Sequence, residues 1–234
     1  TVRQTGWENI MVVDVGGATT DVHSVAKERG REEKVIHHGL PEPYTKRTVE
    51  GDLGLRVSAS ALLETAGTDR IRAEMGCELD DGSLETAIKQ RVQNIGFIAA
   101  EEHQEALDDA MARICVDMGV ERHVGRLREH YLPTGFCYIQ DGKDLRHVSH
   151  VIGTGGIFRH SKRTGHILSG AMYDPSTPLT LKPVQPEFRV DKDYVMWSMG
   201  LLAQQFPDVA LEILHRQLVK TEVPKKHDHE QSTR

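Results

Sequence analysis

A turn rich in glycine and threonine near the start of the chain combines the residue types that bind phosphate. Its residues are Asp14-Val15-Gly16-Gly17-Ala18-Thr19-Thr20-Asp21. A phosphate group needs several N–H donors close together and little steric bulk, and consecutive amides in a glycine turn supply both. We expect positive φ angles at the two glycines and extra donors from the two threonine hydroxyls. The candidate phosphate ligands are Gly16, Gly17, Ala18, Thr19 and Thr20.

Carboxylates stand on both sides of this turn. Asp14 ends the first apolar run, where it is placed to hold Mg²⁺ through a bound water, because Mg²⁺ keeps much of its hydration and prefers carboxylate oxygen. Asp21 is placed to orient a water or to contact the metal. Glu50 and Asp52 form a second acidic pair, which either faces the metal–phosphate site or simply ends a strand and caps a helix. The candidate catalytic residues are therefore these four carboxylates.

A second glycine-rich turn, Gly153-Thr154-Gly155-Gly156, follows the apolar residues Val151 and Ile152. Alone, such a turn is a loop as often as a binding site, but its place after the first turn favours contact with a nucleoside. Phe158 follows at once, and its ring either stacks on a base or packs in the core. The chain holds no Walker-A string, and no dinucleotide fingerprint follows the first strand.

Strand and helix patterns indicate how the turns are held. Two β-branched runs around the first turn predict a hairpin, with a weaker third strand in an antiparallel meander. Strands first, then helices, then alternation of the two indicate an α/β layer architecture. The predicted strands are Ile10–Val15, Asp21–Ala26, Lys34–Leu40, Gly135–Gln140 and His147–Ile152. The predicted helices are Asp52–Ala66, Leu84–Val92, Glu101–Met118, Val120–Tyr131, Ser161–Ala171, Tyr194–Gln205 and Asp208–Lys220.

The chain is long enough for one large domain. We predict a domain over residues 1–220 with a helical insertion at about 79–131, followed by a disordered polar tail, Thr221–Arg234. Cys115 lies on the apolar stripe of the main helix and is expected to be buried. A C-terminal apolar helix face is interpreted as core, with a partner or homodimer surface as the alternative; its residues are Met196, Trp197, Met199, Leu201 and Leu202.

Composition excludes several classes of function. The net charge of −6 gives no electrostatic case for binding nucleic acid or an anionic membrane. No apolar run approaches the roughly 20 residues that span a bilayer. The three cysteines, Cys77, Cys115 and Cys137, form no CxxC pair, which favours free thiols in the cytoplasm. The thirteen histidines match no metal or cobalamin string and are interpreted as scattered core and surface residues.

The two glycine turns resemble a known pair of motifs. The segment Val13–Val22 resembles the second phosphate motif of the actin, Hsp70 and sugar-kinase superfamily, and Val151–Gly156 looks like its adenosine motif. The resemblance implies an RNase H-like, actin-type ATPase domain that binds ATP or ADP with Mg²⁺. In that superfamily the adenosine motif lies against base and ribose, which assigns this role to Gly153, Thr154, Gly155 and Gly156.

The resemblance is closer to one branch, the MutL/GlmL proteins. It rests on the string Arg47–Gly54 together with the two motifs. These are accessory proteins of the coenzyme B12-dependent glutamate mutase system, unrelated to the mismatch-repair proteins of similar name. The implied role is that of a chaperone-like ATPase that releases damaged cobalamin from the mutase subunits, which themselves hold the cobalamin.

One feature of the superfamily is absent before Ile10, namely the first phosphate motif of an N-terminal domain. The chain is therefore expected to be a C-terminal half that clamps nucleotide together with an N-terminal half of the same protein, and to lack full ATPase activity alone. Two alternatives stay open: a small-molecule kinase of the same superfamily, which needs a catalytic aspartate as base, and an interaction domain that binds no nucleotide.

Overall fold

The structure is a computed structural model that describes residues 7–27, 32–76, 79–133 and 135–223. The architecture is mixed α/β, as the sequence predicts. A six-stranded mixed sheet carries both glycine turns, and a three-stranded sheet is separate from it. No helix in this described part of the chain is both long and apolar enough to cross a membrane.

The six-stranded sheet is built around the first hairpin. Its order is β4-β2-β1-β7-β8-β9, with bounds β1 Ile10–Val15, β2 Thr20–Val25, β4 Thr45–Glu50, β7 His150–Thr154, β8 Glu187–Asp191 and β9 Leu218–Lys220. β1 is antiparallel to β2 and parallel to β7, which is in turn parallel to β8. β4 and β9 run antiparallel to their neighbours. Alternate residues of β1 are buried, because successive strand side chains point to opposite faces.

One long helix, α4 (Glu102–His123), packs against β1, β2 and β4 and supplies much of the core. It continues through Gly119, where a break or end was expected. A Cβ at Gly119 would lie 3.2 Å from the Thr20 methyl carbon, so glycine permits close helix–sheet packing. The other helices of the described residues are α1 Ala59–Ala66, α2 Thr68–Met75, α3 Asp81–Gln93, α5 Gly156–His160, α6 Thr164–Leu168, α7 Met196–Leu202 and α8 Pro207–Gln217, with a 3₁₀ turn at Ser169–Ala171.

The small sheet corrects two predictions. Its strands are β3 Val35–His38, β5 Arg126–Leu132 and β6 Gly135–Asp141, in the order β3-β6-β5. The third strand of the meander is therefore β4 and not Lys34–Leu40. The helix predicted over Val120–Tyr131 is wrong because α4 ends at His123 and the chain turns at Gly125, whose amide bonds the Lys143 carbonyl at 2.7 Å.

The C-terminal part also departs from prediction. No residue of α7 is buried, and Trp197 and Leu201 are 62% and 60% exposed, so the prediction of a core face is wrong. The predicted tail begins too early. The Thr221 amide bonds the Phe188 carbonyl at 3.0 Å and Val223 packs against the core. Residues 224–234 lie outside the described part of the chain.

Two buried side chains on α4 illustrate the core. Cys115 is fully buried, as predicted, and burial raises the pKa of its thiol to about 12. His123 is also fully buried and bridges two strands: its Nδ1 lies 2.9 Å from Thr48 Oγ1 and its Nε2 lies 2.8 Å from Ser24 Oγ. Burial, aided by Lys46 and Lys143, lowers the pKa of His123 to about 3.

This histidine makes stability depend on pH. The pKa of His123 is about 3 in the folded chain and near 6.5 in the unfolded chain. Below pH 6.5 the histidine is therefore protonated in the unfolded chain and stays neutral in the folded chain. We expect the free energy of unfolding to fall by about 2 kcal/mol between pH 7 and pH 5 from this group alone. Urea unfolding at each pH should show a flatter dependence in His123→Gln. The exposed control His103→Gln should keep the wild-type slope, and equal slopes in both variants would contradict the assignment.

Candidate functional site

The two glycine turns meet at one edge of the large sheet. β1, β7 and β8 are parallel neighbours, so their carboxyl ends lie side by side. Asp14 near the end of β1 is in register with Thr154 at the end of β7 and with Asp21 on β2. Asp191 ends β8 beside them. The fold therefore gathers three carboxylates and both turns at this edge.

The first turn is tight, and its geometry differs from expectation in one respect. The Gly16 amide donates to the Thr19 carbonyl at 2.9 Å. Neither Gly16 nor Gly17 has a positive φ, so the predicted left-handed conformation is wrong. Close approach favours glycine here: a Cβ at Gly16 would lie 3.0 Å from the Thr19 carbonyl oxygen, and one at Gly17 would lie 3.3 Å from the Arg56 Cβ.

The chain after β4 braces this turn instead of forming the predicted helix from Asp52. The amides of Leu55 and Arg56 bond the carbonyls of Gly16 and Gly17 at 3.1 and 2.8 Å. A Cβ at Gly54 would lie 2.6 Å from the Ala18 carbonyl carbon, so only glycine permits this contact. With these amides engaged, helix α1 begins only at Ala59.

The donors of the turn divide into free and occupied groups. No described residue accepts a hydrogen bond from the amides of Gly17, Ala18 or Thr19. The Thr19 hydroxyl donates to Asp21 Oδ2 at 3.0 Å. The Thr20 hydroxyl is buried on the opposite face and donates to the Leu53 carbonyl at 2.7 Å. The structure thus leaves three adjacent amides available to an anion and commits Thr20 to the brace.

The carboxylates differ in their surroundings. Asp14 is half-buried, and burial raises the pKa of its carboxyl, with further increases from the nearby charges of Asp21 and Asp191. Asp21 accepts from Arg47 Nε at 3.0 Å and Nη2 at 2.5 Å. Asp14 therefore carries a charge that lacks a cationic partner among the described side chains and that a metal cation would stabilise.

Glu50 and Asp52 are both engaged by one cationic side chain. Both carboxylates bind Arg122 of α4, with Arg122 Nη1 2.7 Å from each and Nη2 2.9 Å from Asp52 Oδ2. The Arg122 hydrogen bonds hold the pKa of Asp52 at about 2, with help from the Thr65 hydroxyl. In this structure the pair fastens β4 and the following turn to α4.

The second turn is shaped by packing against the first. Gly155 has a φ of 110°, and a Cβ there would lie 2.3 Å from the Val15 carbonyl oxygen. A Cβ at Gly153 would lie 2.6 Å from the ring of Phe158, which is fully buried, so Phe158 is a core residue and does not stack on a ligand. Gly156 has open space around it. The first residues of the turn therefore pack closely against their neighbours, whereas Gly156 has open space beside it.

A cleft of about 1000 Å³ runs between the two turns and the helices that follow β4. Gly16, Gly17 and Gly156 lie on its wall, whereas the other predicted site residues do not: Asp14, Ala18, Thr19, Thr20, Asp21, Glu50, Asp52, Gly153, Thr154 and Gly155. One lip is apolar, formed by Ile95, Phe97 and Ile98 before α4. Charged groups line the remainder: Arg56, Glu102, Glu105, Asp108, Asp109, Lys162 and Arg163.

Arg56 joins the first glycine turn to the helical side of the cleft. Its guanidinium donates to Asp108 Oδ2 at 2.9 Å and to the Phe97 carbonyl at 3.0 Å. Asp108 also accepts from the fully buried Arg91 at 2.6 Å, and the Arg91 guanidinium lies 4.9 Å from the centre of the Phe97 ring. This cluster fixes the turn, the lip and α4 relative to one another.

Three residues of the site were not identified from the sequence, namely Arg56, Asp191 and Tyr194. Asp191 is fully buried and accepts from the Thr154 hydroxyl at 2.9 Å. Tyr194 lines the cleft and has a φ of 55°. For Asp191 the sequence contained one weak signal, an aspartate that follows the alternating apolar residues Phe188 and Val190.

The described residues hold no group of three or more His, Cys, Asp or Glu side chains arranged to bind a metal ion by themselves. A divalent cation at this edge would therefore need oxygen atoms from a ligand in addition to Asp14. Phosphate oxygens and waters supply such ligands for Mg²⁺ in many proteins.

Comparison with known proteins gives a family match and a curated relative. A family model described as "MutL protein" matches residues 1–218. A curated protein named "Protein MutL" from Clostridium tetanomorphum is 44% identical over 220 residues, which cover 94% of this chain and 47% of that protein. The chain thus spans about half the length of this relative.

Proposed function

We propose a function for this chain on the basis of its family, because the chain belongs to the MutL protein family. It is the ATP-binding half of a chaperone-like factor that reactivates a coenzyme B12-dependent glutamate mutase. The observation that carries the nucleotide part is the cleft. Two glycine turns far apart in sequence line one cavity of about 1000 Å³, which falls within the usual size range for small-molecule sites. The mutase part rests on family membership.

The turn residues suit a phosphate chain. Three consecutive amides, those of Gly17, Ala18 and Thr19, have no acceptor among the described residues, and Gly17 lines the cleft, so this turn can donate hydrogen bonds to an anion. Asp14 would hold Mg²⁺ through water, and the bound metal would neutralise phosphate charge. Without that cation, the carboxylates of Asp14, Asp21 and Asp191 would repel a phosphate at this edge. The site therefore fits a metal–nucleotide complex better than a free nucleotide.

The second turn suits the nucleoside. Gly156 is open, lies on the cleft wall and has no side chain to block a base or ribose. Thr154 and Gly155 act behind it, because the Thr154 hydroxyl binds Asp191 and Gly155 packs on β1. We assign Thr20, Glu50 and Asp52 to positioning, since the polar groups of each are engaged in holding a neighbouring element in place.

The strand arrangement is consistent with an actin-type fold. A phosphate turn joins the first two strands, and the second turn follows the strand that lies parallel to β1, which is the arrangement that the resemblance implies. In such a protein an N-terminal half would close the cleft from the other side. Arg56 would then connect nucleotide at Gly17 with the helical insertion through Asp108.

Replacing Asp14 by asparagine tests the metal assignment. Asn keeps the shape of the side chain and removes a charge that burial and two carboxylates disfavour, so the fold should persist. In the full-length protein we expect Asp14→Asn to weaken Mg·ATP binding about tenfold or more, and to leave the binding of metal-free ATP in EDTA no weaker than in the wild type, because one repelling charge is gone. Isothermal titration with Mg·ATP, with Mg·ADP and with ATP in EDTA measures these affinities. The fully exposed Asp69→Asn serves as the control.

The outcomes separate the parts of the proposal. No heat from the wild-type protein with either nucleotide would remove the ATP assignment and favour a nucleotide-independent interaction domain. Unchanged affinity in Asp14→Asn would contradict only the metal role. Phosphate transfer to a hydroxyl compound in a substrate panel would favour a small-molecule kinase.

The mutase role needs its own experiment. Full-length protein and Mg·ATP should restore activity to glutamate mutase that holds a damaged cobalamin, and the mutase without this factor should stay inactive. Binding of nucleotide with no recovery of mutase activity would reject the reactivation role and leave the nucleotide site intact.

A further inference from the structure

Tyr194 lines the cleft but has no role in the proposed phosphate, metal or nucleoside contacts. It lies between β8 and α7 and lines the same wall as Gly16, Gly17 and Gly156. The residue is 39% exposed, so a ligand in the cleft can reach it. An inference about its role rests on the proposed nucleotide site.

The backbone at Tyr194 is held in a conformation that tyrosine rarely adopts. Its φ is 55°, in the left-handed region, which bulky side chains disfavour. The turn is anchored by Asp191, whose fully buried carboxylate accepts from the amides of Val195 and Met196 at 2.9 and 2.8 Å. Strained residues persist only where surrounding contacts enforce them, and they concentrate at functional sites.

The phenol hydroxyl is available to a ligand. None of the described residues forms a hydrogen bond with it, although the backbone on either side of it is anchored. A tyrosine phenol is protonated at neutral pH, so the hydroxyl has a hydrogen to donate. The Tyr194 amide bonds the Asp191 carbonyl at 3.2 Å, which keeps this residue at the sheet edge where Asp14 also lies.

We infer that Tyr194 contacts the nucleotide directly, with its phenol hydroxyl donating a hydrogen bond to an oxygen of the phosphate chain. A phosphate oxygen is a strong acceptor, and the phosphate turn lies on the same side of the cleft as Asp14. A neutral donor also suits this place. It binds an anion beside three carboxylates without forming an ion pair with them, as a lysine or arginine there would.

Tyr194→Phe in the full-length protein removes the hydroxyl and keeps the ring. We expect the dissociation constant for Mg·ATP to rise about tenfold, as for loss of one hydrogen bond to a charged group. The affinity for adenosine, which has no phosphate, should not change. Isothermal titration measures both ligands, and Tyr173→Phe, a partly buried tyrosine outside the cleft, serves as the matched control.

A second variant separates contact from folding. Tyr194→Gly relieves the positive φ, which offsets part of the packing lost with the ring, so the variant should keep a cooperative thermal unfolding transition, while Mg·ATP binding weakens at least as much as in Tyr194→Phe. Wild-type binding with unchanged affinity in Tyr194→Phe would overturn the contact and leave the proposed function standing. Equal losses for adenosine and Mg·ATP would also overturn it. Absence of any binding by the wild type would reject both.

Discussion

Gly155→Ala is expected to destabilise the protein by more than about 3 kcal/mol, because two independent penalties fall on one residue. The φ of 110° is one that residues with a side chain rarely adopt. The added Cβ would lie 2.3 Å from the Val15 carbonyl oxygen and 3.0 Å from Asp14 Oδ1. β1 and β7 are hydrogen-bonded neighbours in the centre of the sheet, so neither strand can move aside without breaking their ladder.

The next residue provides the matched control. A Cβ added at Gly156 would meet no atom within 4 Å, and the φ of this residue is not positive. Gly156→Ala should therefore change the free energy of unfolding by less than about 0.5 kcal/mol. Urea unfolding of the two variants side by side measures the difference. Equal midpoints would mean that the second turn does not press against β1 as described.

Asp108→Ala should destabilise the protein by about 3 to 5 kcal/mol, the range found when one partner of a buried ion pair is removed. Asp108 is 4% exposed and is shared by Arg56 and the fully buried Arg91. Within the described part of the chain, its removal leaves the Arg91 guanidinium without a counter-charge, with two carbonyl oxygens and the face of Phe97 as its remaining partners.

The test of this cluster is chemical denaturation with two comparisons. Glu85→Ala removes an acid from an exposed pair with Lys89 on α3 and should change stability by less than about 0.5 kcal/mol. Adding Arg91→Met to Asp108→Ala should restore part of the lost stability, because it removes the uncompensated charge. A loss in Asp108→Ala no larger than that in Glu85→Ala would show that the cluster contributes little.

The same cluster has a functional consequence for the cleft. Arg56 contacts Gly17 through its backbone amide, and Asp108 through its guanidinium. Loss of Asp108 should therefore loosen the first glycine turn as well as its packing against α4. Weaker Mg·ATP binding in Asp108→Ala at a temperature where the variant stays folded would show that the two are coupled.

Local sequence determined the elements that carry the chemistry. The apolar run Ile10–Val15, the glycine turn and the β-branched residues after it specify a hairpin, because alternation and turn residues act between near neighbours. The stripe of apolar residues in Glu101–Met118 specified most of α4 for the same reason. The order of the two glycine turns was enough to indicate a phosphate and nucleoside site before any contact between them was known.

Tertiary structure alone decided which groups are free to act within that site. Thr20 and Thr19 are adjacent and chemically equal, yet strand alternation buries one hydroxyl against Leu53 and leaves the other beside Asp21. Glu50 and Asp52 are occupied by Arg122, which lies 72 and 70 positions later in the chain. Asp191 and Tyr194 join the site only because β8 lies beside β7. Hydrogen-bond partners and burial depend on which distant segments the fold brings together, and a local pattern contains no information about those segments.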